Sequence, residues 1–271
     1  MLDLLQDVGD LRYIQQPIAA VNKRDLSALG DNCTQETYFM TPSVRSGLEA
    51  GRVRFIPMHM RAIYDHIANR PIDVSLLLAA KDKNGDLRFG LNNEYINAAI
   101  AGSRMVIVEV SDAYTAPLGS QLVGDAADYL FSSHTAATTF PAVEVDPVSA
   151  EIGRRVAELI QDGDCIQTGI GAVPAAILEG LSNRNDLGLH SGILDDGAVG
   201  LIRAGNMNGL SKAIDKGKHI AGMVLGGPDL LNWLEDEEYR KVSTRWHGDS
   251  VNNYNILIGS APSKADSLIK R

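Results

Sequence analysis

Two apolar runs that do not alternate, DVSLLL at 73–78 and RMVIVEV at 104–110, constrain this chain more than any other feature. A strand with one wet face alternates apolar and polar side chains. A strand rich in uninterrupted Val, Ile and Leu is covered on both faces, as happens in parallel sheets wrapped by helices. The segments around the two runs agree. MRAIYDHIAN at 60–69 has helical spacing with Ile63 and Ile67 on one side, 94–101 reads as a second helix, and 54–56 as a short strand. The KDKNGD turn at 81–86 carries Asn-Gly, a strong reverse-turn signal. The stretch up to about residue 37 shows no clear pattern.

The rhythm repeats after a Ser-, Thr-, Gly- and Ala-rich stretch at 114–141, which reads as loop and edge structure. A boundary is expected at Asp146-Pro147, dividing an N-terminal α/β domain, 1–146, from a second one, 147–271. A helix starts there, with Ser149 as its expected cap, Glu151 in its first turn, and Ile152, Val156, Leu159 and Ile160 as its apolar stripe. Strands at 165–168, 187–194 and 220–225 then alternate with helices at 174–181, 196–204 and 228–234. That βαβαβα order predicts an open parallel sheet joined by right-handed crossovers.

The first of these units, CIQTGIGAVPAAILEGL from Cys165, carries the chemistry. Gly169 and Gly171 turn the chain between strand and helix, with Pro174 expected at the first helical position. Glycines permit positive φ and close ligand approach, and both are expected to serve one of these purposes. The helix behind them offers unpaired N–H groups and a partial positive charge, a combination suited to a phosphate or carboxylate. A tight strand-to-helix turn can also need glycines for its own sake, so the pattern alone leaves both readings open. Pro174 stands where a dinucleotide fingerprint requires a third glycine, and the Gly-Lys-Ser/Thr ending of a Walker loop is missing.

A chain of 271 residues buries enough surface to be stable without disulfides or structural metals. With 25 basic against 34 acidic residues and a net charge of −9, it lacks the basic excess of a nucleic-acid binder. Cys33 and Cys165, far apart and outside any Cys-x-x-Cys pattern, read as buried reduced thiols. The acidic, interrupted N-terminus does not look like a signal peptide, and no apolar run approaches the roughly 20 residues of a membrane span. A cytoplasmic protein with no membrane and no nucleic-acid partner is expected.

GIGAVPAAILEGL followed by DLGLHSGILDDGAVGLIRAGNMN resembles the acetyl-CoA hydrolase/transferase family of class I CoA-transferases. The family pattern runs GIGAIPxAVLxxL, then DLGIHTEMxSDGVxxLxxAGxxxN, at the same spacing. A weaker likeness extends back through VDPVSAEIGRRVAELIQDG and RMVIVEV to YFMTPSVRSGLEAGRVRFIP. The resemblance implies a CoA-transferase-like open parallel-sheet α/β fold of two related domains, with acyl-CoA bound between them. Gly169, Ile170, Gly171, Ala172 and Val173 carry over as CoA-contacting positions. The implied partners are an acyl-CoA and a carboxylic acid, with coenzyme A as the group carried and no metal. Family members extend beyond this chain at both ends, so both domains are expected to be incomplete. Uncovered edges would then favour a homo-oligomer.

Where the family has His-Thr/Ser-Glu, this chain has His190-Ser191-Gly192, so the nucleophilic carboxylate the resemblance implies is absent. Asp195 and Asp196 follow at a strand-to-helix junction; Asp196 matches the family's Asp and is the expected cap, leaving Asp195 as the spare carboxylate. Glu94 follows a Phe-Gly-Leu-Asn-Asn turn at the C-terminal end of a strand, where α/β sites gather. Asp195 and Glu94 are therefore the catalytic candidates. His190 reads as a structural imidazole, and the other histidines lack metal-ligand spacing. The EDEEYRK run from Glu235 reads as a solvated helix end and the RWHGDSVNN segment from Arg245 as an exposed polar loop. Acyl-CoA:carboxylate CoA transfer or acyl-CoA hydrolysis is the expected activity. The alternative from another class is an inactive CoA-binding remnant.

Overall fold

The computed structural model describes residues 10–15, 24–235 and 243–246 of two compact units, Met1–Ile63 and Tyr64–Arg271. In the first unit, β1 (Arg12–Gln15), β2 (Thr34–Thr37), α1 (Arg45–Glu49) and β3 (Val53–Phe55) follow in order. The three strands form a parallel sheet in the order β1-β2-β3. Glu36 of the central strand is buried and bonded to the Arg12 guanidinium, with Arg54 3.6 Å away. A buried carboxylate needs such partners, since desolvation otherwise outweighs its attractions. Neither β1 nor β2 was legible in the pattern of the first 37 residues.

The unit boundary falls within the helix α2 (Met60–Ala68), and the second unit continues with β4 (Ile72–Lys81), β5 (Leu87–Phe89), α3 (Ile96–Gly102), β6 (Ser103–Ser111) and β7 (Tyr129–Ser133). Sheet order is β5-β4-β6-β7, with β4–β6 and β6–β7 parallel and β4–β5 an antiparallel hairpin. Asp82 holds the Asn-Gly turn, accepting from the amides of Asn84 (2.8 Å) and Asp86 (3.0 Å) and from Arg88 Nε (2.5 Å). The strand β7 occupies the stretch expected to be loop and edge structure.

Coverage on both faces is not what the sheet shows. Leu77, Ala79, Val106 and Val108 face a core with Phe89 and Ile96. The opposite rows leave Val74 at 44%, Leu76 at 38%, Leu78 at 37% and Tyr129 at 60% exposure. Continuous apolarity thus marks strands whose second face is left uncovered by the described residues.

The remaining elements are α4 (Pro147–Leu159), β8 (Cys165–Ile166), α5 (Ala172–Glu179), β9 (Gly188–Asp195), α6 (Asp196–Arg203), β10 (Lys218–Leu225), α7 (Pro228–Glu235) and β11 (Ser243–Trp246). All four strands are parallel, in the order β11-β10-β9-β8. Their core joins Leu178, Leu181, Leu189, Leu194, Val224 and Trp233. Arg245 and Trp246 are strand residues rather than loop, and 247–253 of that expected loop lie outside the described residues, as do 236–241 of the expected solvated helix end. Asp146, not Ser149, caps α4, accepting from the amides of Val148 and Ser149. With Pro147 fixing the first helical position, the cap has to fall one residue before it.

A lysine organises the N-terminal halves of β9 and β10. Lys212 is 5% exposed and its Nζ donates to Leu189 O (3.0 Å) and Lys218 O (2.7 Å). Its stem crosses Gly188, where an added Cβ would lie 2.5 Å from Lys212 Cγ. The turn after β5 is stitched to β10 as well. Asn93 N donates to Gly222 O (3.0 Å) and Val224 N to Leu91 O (2.9 Å), around an antiparallel bridge between Asn92 and Met223. Because β9 lines the other edge of β10, residues 91–93 extend the row that β11 begins at Lys218–Ala221. Among the described residues no helix is long and apolar enough to cross a membrane.

Packing of α4 on α5 depends on small residues, and two glycines should separate by substitution. A methyl group at Gly153 would overlap Ala176 Cβ, so Gly153→Ala should lower stability by about 1–3 kcal/mol. At Gly200 in α6 an added Cβ meets open space, so Gly200→Ala should raise stability by roughly 0.5–1 kcal/mol. Urea unfolding of both variants measures the two changes.

Candidate functional site

The C-terminal ends of parallel strands are where a doubly crossed α/β sheet places ligands, because the chain leaves the sheet there in opposite directions. At this end of β8, residues 167–171 lead into α5, and the helix begins at Ala172 rather than at Pro174. Pro174 falls within the first turn, where its missing N–H costs no helical hydrogen bond. Gly171 is the N-cap with φ 125° and ψ −178°, a conformation that only glycine adopts readily. Gly169 has no positive φ, and an added Cβ there would make an ordinary 3.9 Å contact with Pro174. Conformational need is thus confined to Gly171.

No side chain caps α5. Its first amides, from Ala172 and Val173, therefore point out of the helix without an intrahelical acceptor, beside a partial positive charge. Ile170 is 65% exposed in front of them. An apolar side chain beside free amides suits a ligand with both a charged and a carbon-rich part.

Ser191 ties this loop to β9. Its Oγ lies 3.3 Å from both Thr168 N and Thr168 O, and it accepts from Ile193 N at 3.2 Å. Gly192, next in the strand, is buried and contributes no side chain. The pairs Ser191–Ala221 and Ile193–Met223 place Gly222 of β10 beside it, and Gly222 is the residue whose carbonyl receives Asn93. The glycine loop, Gly192 and the 90–94 turn therefore lie on successive segments at one end of one sheet. Ser191 and Asn93 were not among the candidate residues. The Ser in His-Ser-Gly was the available signal for the first; the second depends on a long-range pairing with no local mark.

The two carboxylate candidates differ in what they do. Asp195 caps α6, accepting from Ala198 N at 2.8 Å, while Asp196 reaches across to Gly227 N at 2.9 Å. The expected roles of the two aspartates are exchanged, because α6 starts at Asp196 and the cap precedes the first helical residue. Burial pushes the Asp195 carboxyl above its ordinary range, against the opposing effect of the Ala198 amide. Glu94 is 1% exposed, neither carboxyl oxygen has a hydrogen-bond partner, and burial pushes its carboxyl up to about 8. The α3 helix begins at Ile96, so Glu94 lies in the turn before it rather than in its first turn.

Two further buried groups flank the lower part of the sheet. His219 is 1% exposed, and burial, with Lys212 nearby, pushes its imidazole down to about 4. Cys165 is a buried thiol outside any disulfide, raised by burial. Among the described residues no group of His, Cys, Asp and Glu is arranged to hold a metal.

Opposite pH dependences follow from Glu94 and His219. Between pH 4.5 and about 8 the native Glu94 holds a proton that the unfolded chain has released, so its contribution falls as pH rises across that window. Between about pH 4 and 6.5 the unfolded His219 holds a proton that the native chain excludes, so its contribution falls as pH drops. Urea midpoints should therefore decline on both sides of about pH 5–6, and Glu94→Gln should flatten the alkaline limb while leaving the acid limb in place.

No protein-family model matches the chain. It is 29% identical over 229 residues to the 4-hydroxybutyrate coenzyme A transferase of Clostridium kluyveri, covering 81% of this chain and 52% of that protein. It is 30% identical over 209 residues to a succinyl-CoA:acetate/propanoyl-CoA:succinate CoA transferase of Fasciola hepatica, covering 73% and 42%. The chain spans about half the length of the curated relatives it matches. Among solved structures, RipA from Yersinia pestis superposes with a TM-score of 0.77 at 22% identity, covering 94% of this chain and 69% of that one. The 4-hydroxybutyrate CoA-transferase of Porphyromonas gingivalis does so with 0.71 at 21%, over the same shares. Related sequence through most of the chain, on a shared mixed α/β fold, places it beside the class I CoA-transferases, to which its curated homologues belong.

Proposed function

We propose that the chain handles short-chain acyl-CoA thioesters, moving coenzyme A to a carboxylic acid or hydrolysing the thioester. The observation that carries this reading is the uncapped N-terminus of α5 behind the Gly171 turn, joined through Thr168 and Ser191 to β9. In it, the amides of Ala172 and Val173 hold an anionic oxygen of the ligand, Gly169 and Gly171 let the loop approach it, and Ile170 packs on its apolar part. The sheet ends supply the acyl site. A net charge of −9 does not oppose this, because backbone dipoles rather than lysines do the holding. The reaction takes place in the cytoplasm, without a metal, and in a homo-oligomer, and the domain division falls at 146/147.

Gly192 supports a second reading, a CoA-binding remnant without turnover, since that position offers no nucleophile. Asp195, with Oδ1 engaged as a cap, serves at most as a base for water. Calorimetric titration with CoA, beside a thiol-release assay with acetyl-CoA, separates the readings. Binding with turnover supports the enzyme, binding without turnover the remnant, and no binding removes both. Gly171→Val should weaken CoA binding at least tenfold, because φ 125° excludes a branched side chain and the loop must rearrange. Equal affinity of that variant would reduce the loop to a turn.

A further inference from the structure

We infer that β7 is the docking surface for a second copy of this chain, pairing antiparallel with the same strand of that copy across a two-fold axis. The homo-oligomer proposed above forms through this strand whether or not the chain acts on CoA. A strand at the end of a sheet presents unpaired N–H and C=O groups, and proteins that stay monomeric blunt such edges with charge, brevity or a covering segment. Among the described residues, every other sheet edge is blunted in one of these ways. Strands β1, β3 and β11 contain Arg12, Arg54 and Arg245, β5 contains Arg88 and is bridged by Leu122, and β8 has two residues. The five residues YLFSS of β7 make it the longest of these edges, and it has no charge, proline or glycine. Its Tyr129 and Leu130 are 60% and 57% exposed.

The direction of its backbone groups fixes the pairing. Ser133 O accepts from Asp112 N, and the β6–β7 register runs from Ile107–Tyr129 to Ser111–Ser133. Successive residues of a strand turn their N–H and C=O to opposite sides, so Tyr129, Phe131 and Ser133 face β6. Leu130 and Ser132 therefore turn theirs to the open edge. An antiparallel partner makes its hydrogen-bonded pairs with such outward residues. Leu130 opposite Ser132 of the second copy, with the symmetry-related pair, uses every outward group of the strand. The axis then passes at Phe131, which meets its own counterpart in the closer, non-hydrogen-bonded position, about 4.5 Å between Cα atoms.

The side chains fit that register, and they fit a second copy in particular. A two-fold interface has to be self-complementary, because each patch meets itself. Here large residues fall opposite small ones, Tyr129 against Ser133 and Leu130 against Ser132, while Phe131 faces Phe131 of the second copy as an aromatic cross-strand pair. Just outside the strand, the exposed Asp128 of one copy falls opposite the exposed His134 of the other, an acid against a base. Asp128 uses Oδ2 to accept from Val106 N, and His134 uses Nδ1 on Asp112 Oδ1, which leaves Oδ1 and Nε2 for each other. Tyr129 also stands in one row with Ile107 and Leu76, so the apolar face left uncovered in one copy continues into the next. The two four-stranded sheets become one.

The test is analytical ultracentrifugation of the full chain at tens of micromolar, with variants of β7. The unmodified chain should sediment as a dimer. Ser132→Pro removes an outward N–H and no bond to β6, so it should raise the dimer dissociation constant about tenfold or more while the far-ultraviolet circular dichroism stays the same. Leu130→Lys, which keeps the backbone intact and charges the edge, should do likewise. Phe131→Cys should give a disulfide-linked dimer on mild oxidation, because its two Cα atoms come within the roughly 4.4–6.8 Å that a disulfide spans. Tyr129→Cys should not, since its two copies lie four positions apart along the strands, about 14 Å. A monomer at that concentration, a dimer that both edge variants leave intact, or cross-linking through Tyr129→Cys in preference to Phe131→Cys overturns the assignment. These readouts are made without CoA, so a chain that fails to bind CoA removes the acyl-CoA reading and leaves the dimer standing.

Discussion

The pairing of residues 91–93 with β10 is the contact on which the site depends. Two hydrogen bonds, from Asn93 N to Gly222 O and from Val224 N to Leu91 O, splice the turn after β5 onto the edge of β10 beyond β11. A backbone pairing of this kind fixes register, and register decides which side chains meet across a sheet. Sliding the turn by one residue would exchange Asn92 with Asn93 on the sheet face and move Glu94 with them. Without the splice, the glycine loop and the carboxylate would belong to two separate sheets.

Much of the sheet architecture was legible because it depends on periodicity. The order of strands and helices from β8 to α7 follows from apolar runs between turn signals, and boundaries moved by no more than about two residues. Capping was read less well. At α4 the neighbouring proline shifts the cap to Asp146, and at α6 the chain uses the first of two adjacent aspartates. Both choices turn on a single residue of helix start, which pattern does not fix. The strands β1 and β2 were hidden because their residues are polar: Glu36 is buried beside Arg12 and Arg54, and such pairs reverse the usual sign of hydropathy.

The candidate site was half visible. Gly169–Val173 announce themselves as glycines between a strand and a helix, and the absence of a carboxylate at Gly192 could be seen by resemblance. What no local pattern could supply was that Glu94 would be sealed without partners, or that Asn93 would bond β10 some 130 residues away along the chain. Burial is a property of the folded whole, and a Glu after a polar turn looks solvated in sequence.

Lys212 has a consequence for how this sheet can change over time. Its stem lies where any side chain at Gly188 would have to go, and its ammonium bridges the carbonyls of two strands. The two positions constrain each other: a methyl at 188 displaces the lysine stem, and a shortened residue at 212 removes the ammonium that donates to both carbonyls. A side chain at 188 therefore becomes accommodated once the residue at 212 no longer crosses it, so the order of changes matters: the lysine has to go first.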